Sequence, residues 1–212
     1  MPKIIGESLA SHRELTRTRL FEALGSLMAE QAFESITMSQ IAERAGVGRT
    51  AVYNHFADKE VLLLAYMREV TSEFARILTQ RLDAEPDPLM RLRIYVRSHL
   101  QMIGRYHVKA GMGLRRQMSG QGASHLHDHA GIVGELLIGI LDEAMERGLI
   151  VEQNTLGAVH LIHATLQGQR LPQDPAHRES ALLLVETFIL RGLGASEENV
   201  CQVTASSLAL GE

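Results

Sequence analysis

Hydrophobic residues recur along this chain at steps of three and four, the spacing that places them on one face of an α-helix. The first such stretch contains Leu20, Leu24, Leu27 and Met28. It predicts a helix over about residues 14–31. No stretch alternates apolar and polar residues over several positions, as half-buried strands do. We therefore predict an all-α fold of about nine helices.

Two short helices are predicted after the first one. Thr37 is a residue type that caps the N-terminus of a helix, here the next one. Gly46 suits the left-handed backbone conformation at which that helix would end. A second short helix follows over about residues 49–55. Asp58 can then cap a much longer helix, over about residues 59–82.

Pro86 and Pro88 interrupt the helical pattern, because proline in a helix interior costs about 3 kcal/mol. Beyond them, further helices are predicted over about residues 89–106, 124–147, 154–168 and 176–193. Residues 104–123 are rich in glycine and only loosely specified. Residues 196–212 are weakly patterned, and the sequence leaves their structure open.

The composition is that of an ordinary globular protein, with 45% hydrophobic and 22% charged residues among 212. A single cysteine, Cys201, excludes an internal disulfide and a multi-cysteine metal site. The chain has neither a signal-peptide core nor an apolar run of about 20 residues. We expect a cytoplasmic protein with no membrane span and no cofactor. The net charge of −4 means that any binding to nucleic acid depends on local charge.

The two short helices, joined by residues 45–48, have the form of a helix-turn-helix, whose second helix enters the major groove of DNA. The side chains expected on the exposed face of that helix are Arg49, Thr50, Tyr53 and Asn54. Arginine can make a bidentate contact with guanine, asparagine can pair with adenine, and threonine can contact a base edge. The residue types therefore suit base reading.

Basic residues lie on both sides of this motif. Arg13, Arg17 and Arg19 cluster near the start of the first predicted helix, and Arg44 and Arg49 belong to the motif itself. They predict a positive stripe on one face of the domain. The alternative for the cluster over residues 13–19 is an ordinary solvated helix face, and the sequence favours neither.

Residues 17–60 resemble the DNA-binding domain of the TetR family of transcriptional regulators. The resemblance is carried by the run Ile-Ala-Glu-Arg-Ala-Gly-Val-Gly-Arg over residues 41–49 and by Tyr53, Phe56 and Lys59 at steps of three. Ala32 departs from the pattern, because the family usually has glycine there. A left-handed backbone at that position would cost about 1 kcal/mol with alanine.

The resemblance implies roles for individual residues. Thr37 and Ser39 would face phosphates, with Gln40 beside them, and Arg49 and Thr50 would read base edges. Tyr53, His55 and Lys59 would hold the DNA backbone, and Asn54 completes the predicted set of DNA-contacting residues. Residues 1–58 would form the DNA-binding domain, and residues 59–212 a helical domain for effector binding and dimerisation.

The resemblance also implies partners. Helices over about residues 154–193 carry more apolar residues than one small bundle needs, and they would form the interface of a homodimer. The dimer would bind a double-stranded operator with an inverted repeat and would be a repressor released by a small-molecule effector. Candidates for the effector pocket are His99, Met102, Tyr106, His107, Leu136 and His163.

Two other functions are weighed against this one. His125, Asp128 and His129 fall on one side of a predicted helix and could hold zinc or nickel, which would make the protein a metal sensor. The simpler interpretation is an exposed polar segment. An enzyme is disfavoured, because the chain has no Glu-x-x-His pair and no Gly-x-Ser-x-Gly elbow. Activation instead of repression stays open.

Overall fold

The computed structural model describes residues 3–106 and 120–206, and the side chains of residues 11–102 and 133–206. Over these ranges the chain forms nine α-helices and no strand, which confirms the prediction of an all-α fold. The helices are α1 (Lys3–Glu30), α2 (Met38–Ala45), α3 (Arg49–His55), α4 (Lys59–Asp83), α5 (Pro88–Tyr106), α6 (Gly120–Glu146), α7 (Thr155–Gln167), α8 (Pro175–Gly192) and α9 (Glu197–Ala205). No helix in these ranges is long and apolar enough to cross a membrane.

The first compact unit contains the chain up to Val70. Its core joins α1, α2, α3 and the first half of α4, and its members with the least exposure are Leu20, Leu24, Ile36, Ile41, Val52 and Leu62. The Phe21 ring lies between the rings of Phe56 and Tyr66, with both centroid distances at 5.9 Å. Apolar burial of this kind is the main stabilising contribution in a small helical domain.

Helix α1 begins at Lys3, so the predicted start near residue 14 is wrong. The reason is that residues 11–15 are exposed and have no apolar periodicity to detect. Ala32 has a φ of −64°, which any L-residue adopts, so alanine there carries no left-handed strain. A single 3-10 turn, Phe33–Ser35, follows and leads into α2.

The second compact unit contains Thr71–Arg105 and the chain from His127 onward. Helix α5 is its central element, since residues 92–100 are all buried. Apolar residues of α4, α6, α7, α8 and α9 belong to the same core, among them Leu78, Leu137, Leu166, Ile189 and Val203. Helix α9, in the region left open by the sequence, begins at an N-cap in which Ser196 Oγ accepts from the amide of Asn199.

Along the chain, a boundary between the two compact units falls within α4, between Val70 and Thr71, and not at the start of this helix. The first half of α4 buries Leu62, Leu63 and Tyr66 in the core of the first unit. A boundary at 58/59 therefore separates the helix-turn-helix from α4 but does not separate two packed cores. As a functional division it stays a prediction.

A buried charge cluster, formed by Arg93, Arg97 and Glu186, connects three helices of the second unit. Glu186 is 2% exposed, and its two carboxylate oxygens accept from Nε of Arg93, at 2.9 Å, and from Nε of Arg97. Arg93 Nη1 also donates to the carbonyls of Val203 and Ser206 at the end of α9, at 2.6 and 2.5 Å. One carboxylate thus joins α5 to α8, and one guanidinium joins both to α9.

Replacing Glu186 by alanine should destabilise the protein by about 3–5 kcal/mol, because two buried guanidinium groups lose their shared counter-ion. Urea unfolding monitored by circular dichroism measures this loss. The matched control is Glu197→Ala, which breaks the exposed ion pair with Arg191. That pair is solvated, so its loss should change the unfolding midpoint little. Equal shifts for the two variants would contradict a structural role for the buried charge cluster.

Candidate functional site

A reciprocal cap fixes the start of α2. The amide of Gln40 donates to Thr37 Oγ1 at 3.2 Å, and the amide of Thr37 donates to Gln40 Oε1 at 2.8 Å. The Thr37 hydroxyl also donates to Gln40 Oε1, at 2.9 Å. Thr37 is exposed, whereas Ser39 and Gln40 are half-buried. These contacts confirm the predicted N-cap, and they give Thr37 and Gln40 a structural role; their contact with phosphate stays a prediction.

Gly46 forms the turn between α2 and α3. Its φ of +64° lies in the left-handed region, which favours glycine, and the amide of Val47 donates to the Ala42 carbonyl at 2.9 Å. Gly48 then stands at the N-cap of α3. Inside the motif, Ile41 and Val52 are fully buried. The predicted helix-turn-helix is present, with α2 and α3 packed against each other.

Helix α3 presents four of the predicted DNA-contacting residues to solvent. Arg49, Thr50, Tyr53 and Asn54 are all exposed, and the Tyr53 side chain is 55% exposed. Their spacing places them on one face of the helix, opposite the buried Val52. Arg49 makes no ion pair with any residue that the structure describes. This face offers a free guanidinium, an amide, a hydroxyl and a phenol together.

Lys59, at the start of α4, has a structural role within the protein. Its Nζ donates to the carbonyls of Phe33, Glu34 and Ile36, at 3.2, 2.9 and 3.0 Å. It also lies 4.8 Å from the centroid of the Phe33 ring. An ammonium group has three donors, and all three are used within the protein. Lys59 therefore ties the start of α4 to the segment before α2, and its contact with the DNA backbone stays a prediction.

His55 lies at the end of α3 and is half-buried. Partial burial, followed by the positive charge of Arg13, lowers the pKa of the His55 imidazole below its ordinary value. The neutral form is thus favoured, and His55 would act on DNA as a hydrogen-bonding group without charge.

Two other arginines near the motif are already paired. Arg44 donates to both carboxylate oxygens of Glu30 at 2.8 Å, and Arg17 donates to Glu69 at 2.9 Å. The Arg17 guanidinium also lies 5.1 Å from the centroid of the Phe21 ring. The positive stripe predicted from the sequence is therefore weaker than the number of basic residues suggests.

In the second unit, three rings form a cluster of Tyr95, His99 and His163. The ring centroids of His99 lie 5.5 Å from His163 and 5.8 Å from Tyr95, with the ring planes nearly parallel. The Tyr95 hydroxyl and His163 Nε2 share a hydrogen bond of 2.6 Å. Phe74 meets His99 edge-on at 6.0 Å. The structure thus brings together two of the predicted pocket residues, His99 and His163, and adds Tyr95.

His99 is 7% exposed, and neither of its ring nitrogens has a hydrogen-bond partner among the residues described. Burial, followed by the nearby His163, lowers the pKa of His99 to about 4. Burial also raises the pKa of the Tyr95 hydroxyl. The cluster is therefore uncharged at neutral pH.

The remaining predicted pocket residues are less informative. Met102 and Leu136 are half-buried and pack against the core of the second unit. The side chain of Tyr106, and His107 as a whole, lie outside the described residues, so their part in a pocket stays a prediction.

The side chains of His125, Asp128 and His129 also lie outside the described set. Elsewhere in the described chain, no group of three potential metal ligands comes together.

Comparison with known proteins agrees with this geometry. The family model "Bacterial regulatory proteins, tetR family" matches residues 20–66. The HTH-type transcriptional regulator BetI of Escherichia coli O45:K1 is 34% identical over 94 residues, which cover 44% of this chain and 45% of BetI. The chain thus matches less than half the length of this curated relative.

Two solved structures show the same fold over most of the chain. The TetR family transcriptional regulator PfmR from Thermus thermophilus has a TM-score of 0.71 and 21% identity, and the match covers 82% of this chain and 98% of that one. The transcriptional regulator FadR from Bacillus subtilis, in complex with stearoyl-CoA, has a TM-score of 0.67 and 19% identity, with coverage of 83% and 96%.

Residues 20–66 thus match the tetR family of bacterial regulatory proteins, and 82% of the chain shares the fold of the PfmR structure. The predicted resemblance is thereby confirmed. The relatives named here are regulators and not enzymes, in agreement with the expectation from the sequence.

Acid should destabilise the second unit through His99. Its pKa is about 4 in the folded protein and about 6.5 when unfolded, so the unfolded chain takes up a proton first as the pH falls. Stability should therefore decrease from about pH 6.5 and level off near pH 4, with a loss of about 3 kcal/mol from this group. Urea unfolding of the wild type and of His99→Phe, repeated across this range, isolates the effect.

Carboxylates titrate in both of these proteins and cancel in the difference between them. The matched control is His160→Phe, because His160 is exposed on α7. Its pH profile should follow that of the wild type. If the stability of His99→Phe fell as steeply with pH as that of the wild type, His99 would not be the source of the acid sensitivity.

Proposed function

We propose that this protein is a dimeric transcriptional repressor, which reads an inverted-repeat DNA operator with α3 and leaves it when a small-molecule effector binds. The observation that carries the proposal is the exposed face of α3, with Arg49, Thr50, Tyr53 and Asn54 on a helix held by a capped α2 and a left-handed Gly46. A regulator of this kind works in the cytoplasm, where bacterial DNA lies.

The chemistry of α3 supports base reading more than general attraction to DNA. A protein that holds DNA only by charge needs a strongly basic surface. Here the chain is acidic overall, and Arg17 and Arg44 are paired with Glu69 and Glu30. The unpaired Arg49 is therefore the natural partner for guanine, and the exposed Tyr53 suits a phosphate.

Exposed apolar residues on α7 and α8 support dimerisation. Leu161 and Leu184 are each 71% exposed, Phe188 is 64% exposed and Leu156 is 60% exposed. Large apolar side chains clustered on neighbouring helices mark interaction surfaces. A second copy of the chain would cover them, and a two-fold dimer supplies the two recognition helices that an inverted repeat requires.

The cluster of Tyr95, His99 and His163 supports an effector site in the second unit, because it places polar groups inside an apolar helical core. FadR, which has the same fold, is described in complex with stearoyl-CoA. Helix α4 contributes to the cores of both units and would transmit the effect of binding. Effector and operator would then weaken each other by the same factor.

Replacing Arg49 by alanine should weaken binding to the preferred DNA sequence by about 10–100-fold, because one bidentate contact with guanine is lost. The operator is first selected from a random double-stranded library with the wild-type protein. Fluorescence anisotropy at fixed salt then gives the affinity of each variant.

The control for this measurement is Arg76→Ala. Arg76 is an exposed arginine of the second unit that pairs with Glu73, so this variant removes one positive charge away from the motif. It should bind almost as well as the wild type. If both variants lost the same affinity, or if the library yielded no preferred sequence, base reading by α3 would be refuted.

Introducing charge on α8 should separate the dimer. The double variant Leu184→Glu/Phe188→Glu places two carboxylates on the exposed apolar face, where burial against a second copy would desolvate them. Light scattering after size-exclusion chromatography should show a dimer for the wild type and a monomer for the variant. The control is Leu15→Glu, since Leu15 is 50% exposed on α1. If the double variant stayed dimeric, the proposal that α8 forms the dimer interface would be wrong.

A further inference from the structure

We propose that His99 is the anchor of the effector, and that this effector is an uncharged molecule that offers a hydroxyl or carboxamide group to the His99 ring nitrogens. The inference rests on the proposed function and names the chemistry of its ligand. Within the cluster of Tyr95, His99 and His163, His99 is the ring whose nitrogens have no hydrogen-bond partner among the described residues.

The first argument is hydrogen bonding. Tyr95 and His163 satisfy each other through their bond of 2.6 Å, whereas both nitrogens of His99 are buried and have no partner in the described chain. Buried polar atoms in native proteins nearly always have a partner, because leaving one unpaired is costly. A side chain needed only for packing would not require nitrogens at this position. A ligand bound in the core of the second unit would supply this partner.

The second argument is charge. Among the described side chains, the rings that meet His99 are those of Phe74, Tyr95 and His163. None of them carries a charge at neutral pH, because burial lowers the pKa of His163 and raises that of Tyr95. The nearest arginines on the same helix, Arg93 and Arg97, are already bound by Glu186. A charged ligand group placed here would lose its hydration and gain no counter-ion. The site thus disfavours both carboxylate and ammonium ligands.

The third argument is the pairing pattern. A neutral imidazole has one N–H donor and one nitrogen acceptor, and the lowered pKa of His99 keeps it in this form. A hydroxyl or carboxamide can also both donate and accept, so it matches either nitrogen and either tautomer. The described rings around His99 are aromatic, and such neighbours suit an aromatic ligand.

Five probes of similar size test the inference: benzyl alcohol, benzamide, toluene, benzoate and benzylamine. Each is titrated into the full-length protein, labelled with nitrogen-15 at histidine, and the His99 ring nitrogens are observed by NMR. Benzyl alcohol and benzamide should shift these signals and raise the melting temperature. Toluene, benzoate and benzylamine should leave both unchanged.

Variants identify the residue responsible. His99→Phe keeps the ring but removes its nitrogens, and it should weaken the binding of benzyl alcohol and benzamide by about tenfold or more, the value of one hydrogen bond of about 1.4 kcal/mol. His99→Gln restores a donor and an acceptor and should recover part of the response; it also serves if the phenylalanine variant fails to fold. His160→Phe changes an exposed histidine of α7 and should respond like the wild type.

Three results would overturn the inference: no response to either neutral polar probe, tighter binding of benzoate or benzylamine, or an unchanged response in both His99 variants. Binding of the wild type to its selected operator is measured on the same preparation. If that binding is intact and the probes fail, only the chemistry assigned to His99 is wrong. If no operator is bound, the proposed function itself fails.

Discussion

The ammonium group of Lys59 makes the contacts on which the position of the helix-turn-helix depends. Helices α2 and α3 have eight and seven residues, too few to be stable alone. Lys59 donates to three carbonyls of the segment between α1 and α2, and so holds that segment against the start of α4. The apolar core beneath, with Ile41 and Val52 at its centre, completes the attachment. These contacts together hold α3 with its exposed face toward solvent.

The second unit uses polar groups in a different way, along one central helix. On α5, Arg93 and Arg97 are satisfied by Glu186, while Tyr95 and His99 meet His163 of α7. In the first group every charge is compensated, because Arg97 also pairs with Glu179, and the group joins helices together. The second group contains an imidazole whose hydrogen bonds are incomplete. Complete pairing suits a structural role, and incomplete pairing suits a site that receives a partner.

The fold was largely predictable from the sequence, because caps and apolar spacing are local signals. Thr37, Gly46 and Asp58 mark helix ends through their own side chains or backbone, and the structure uses each of them in that way. The beginning of α1 was not predictable, since exposed residues such as Arg13 leave no apolar pattern.

The candidate sites were harder to predict from residue types. Arg49 and Tyr53 lie on the exposed face as expected, but whether a lysine meets a phosphate or a carbonyl depends on distant backbone. The residues next to Lys59 in the sequence give no sign that its ammonium group binds carbonyls of residues 33–36. In the same way, His99 and His163 are brought together only by the packing of α5 and α7, which no local spacing encodes.

The attachment of α9 has a consequence for synthesis. Arg93 donates to the carbonyl of Val203, which lies 110 residues later in the chain. A ribosome adds residues in order. The guanidinium of Arg93 therefore cannot form this hydrogen bond until nearly the whole second unit has been synthesised. The described core of the helix-turn-helix unit comes from the first 70 residues, so all of it has been synthesised well before this acceptor appears. The helix-turn-helix can therefore begin to pack while the second unit is still incomplete.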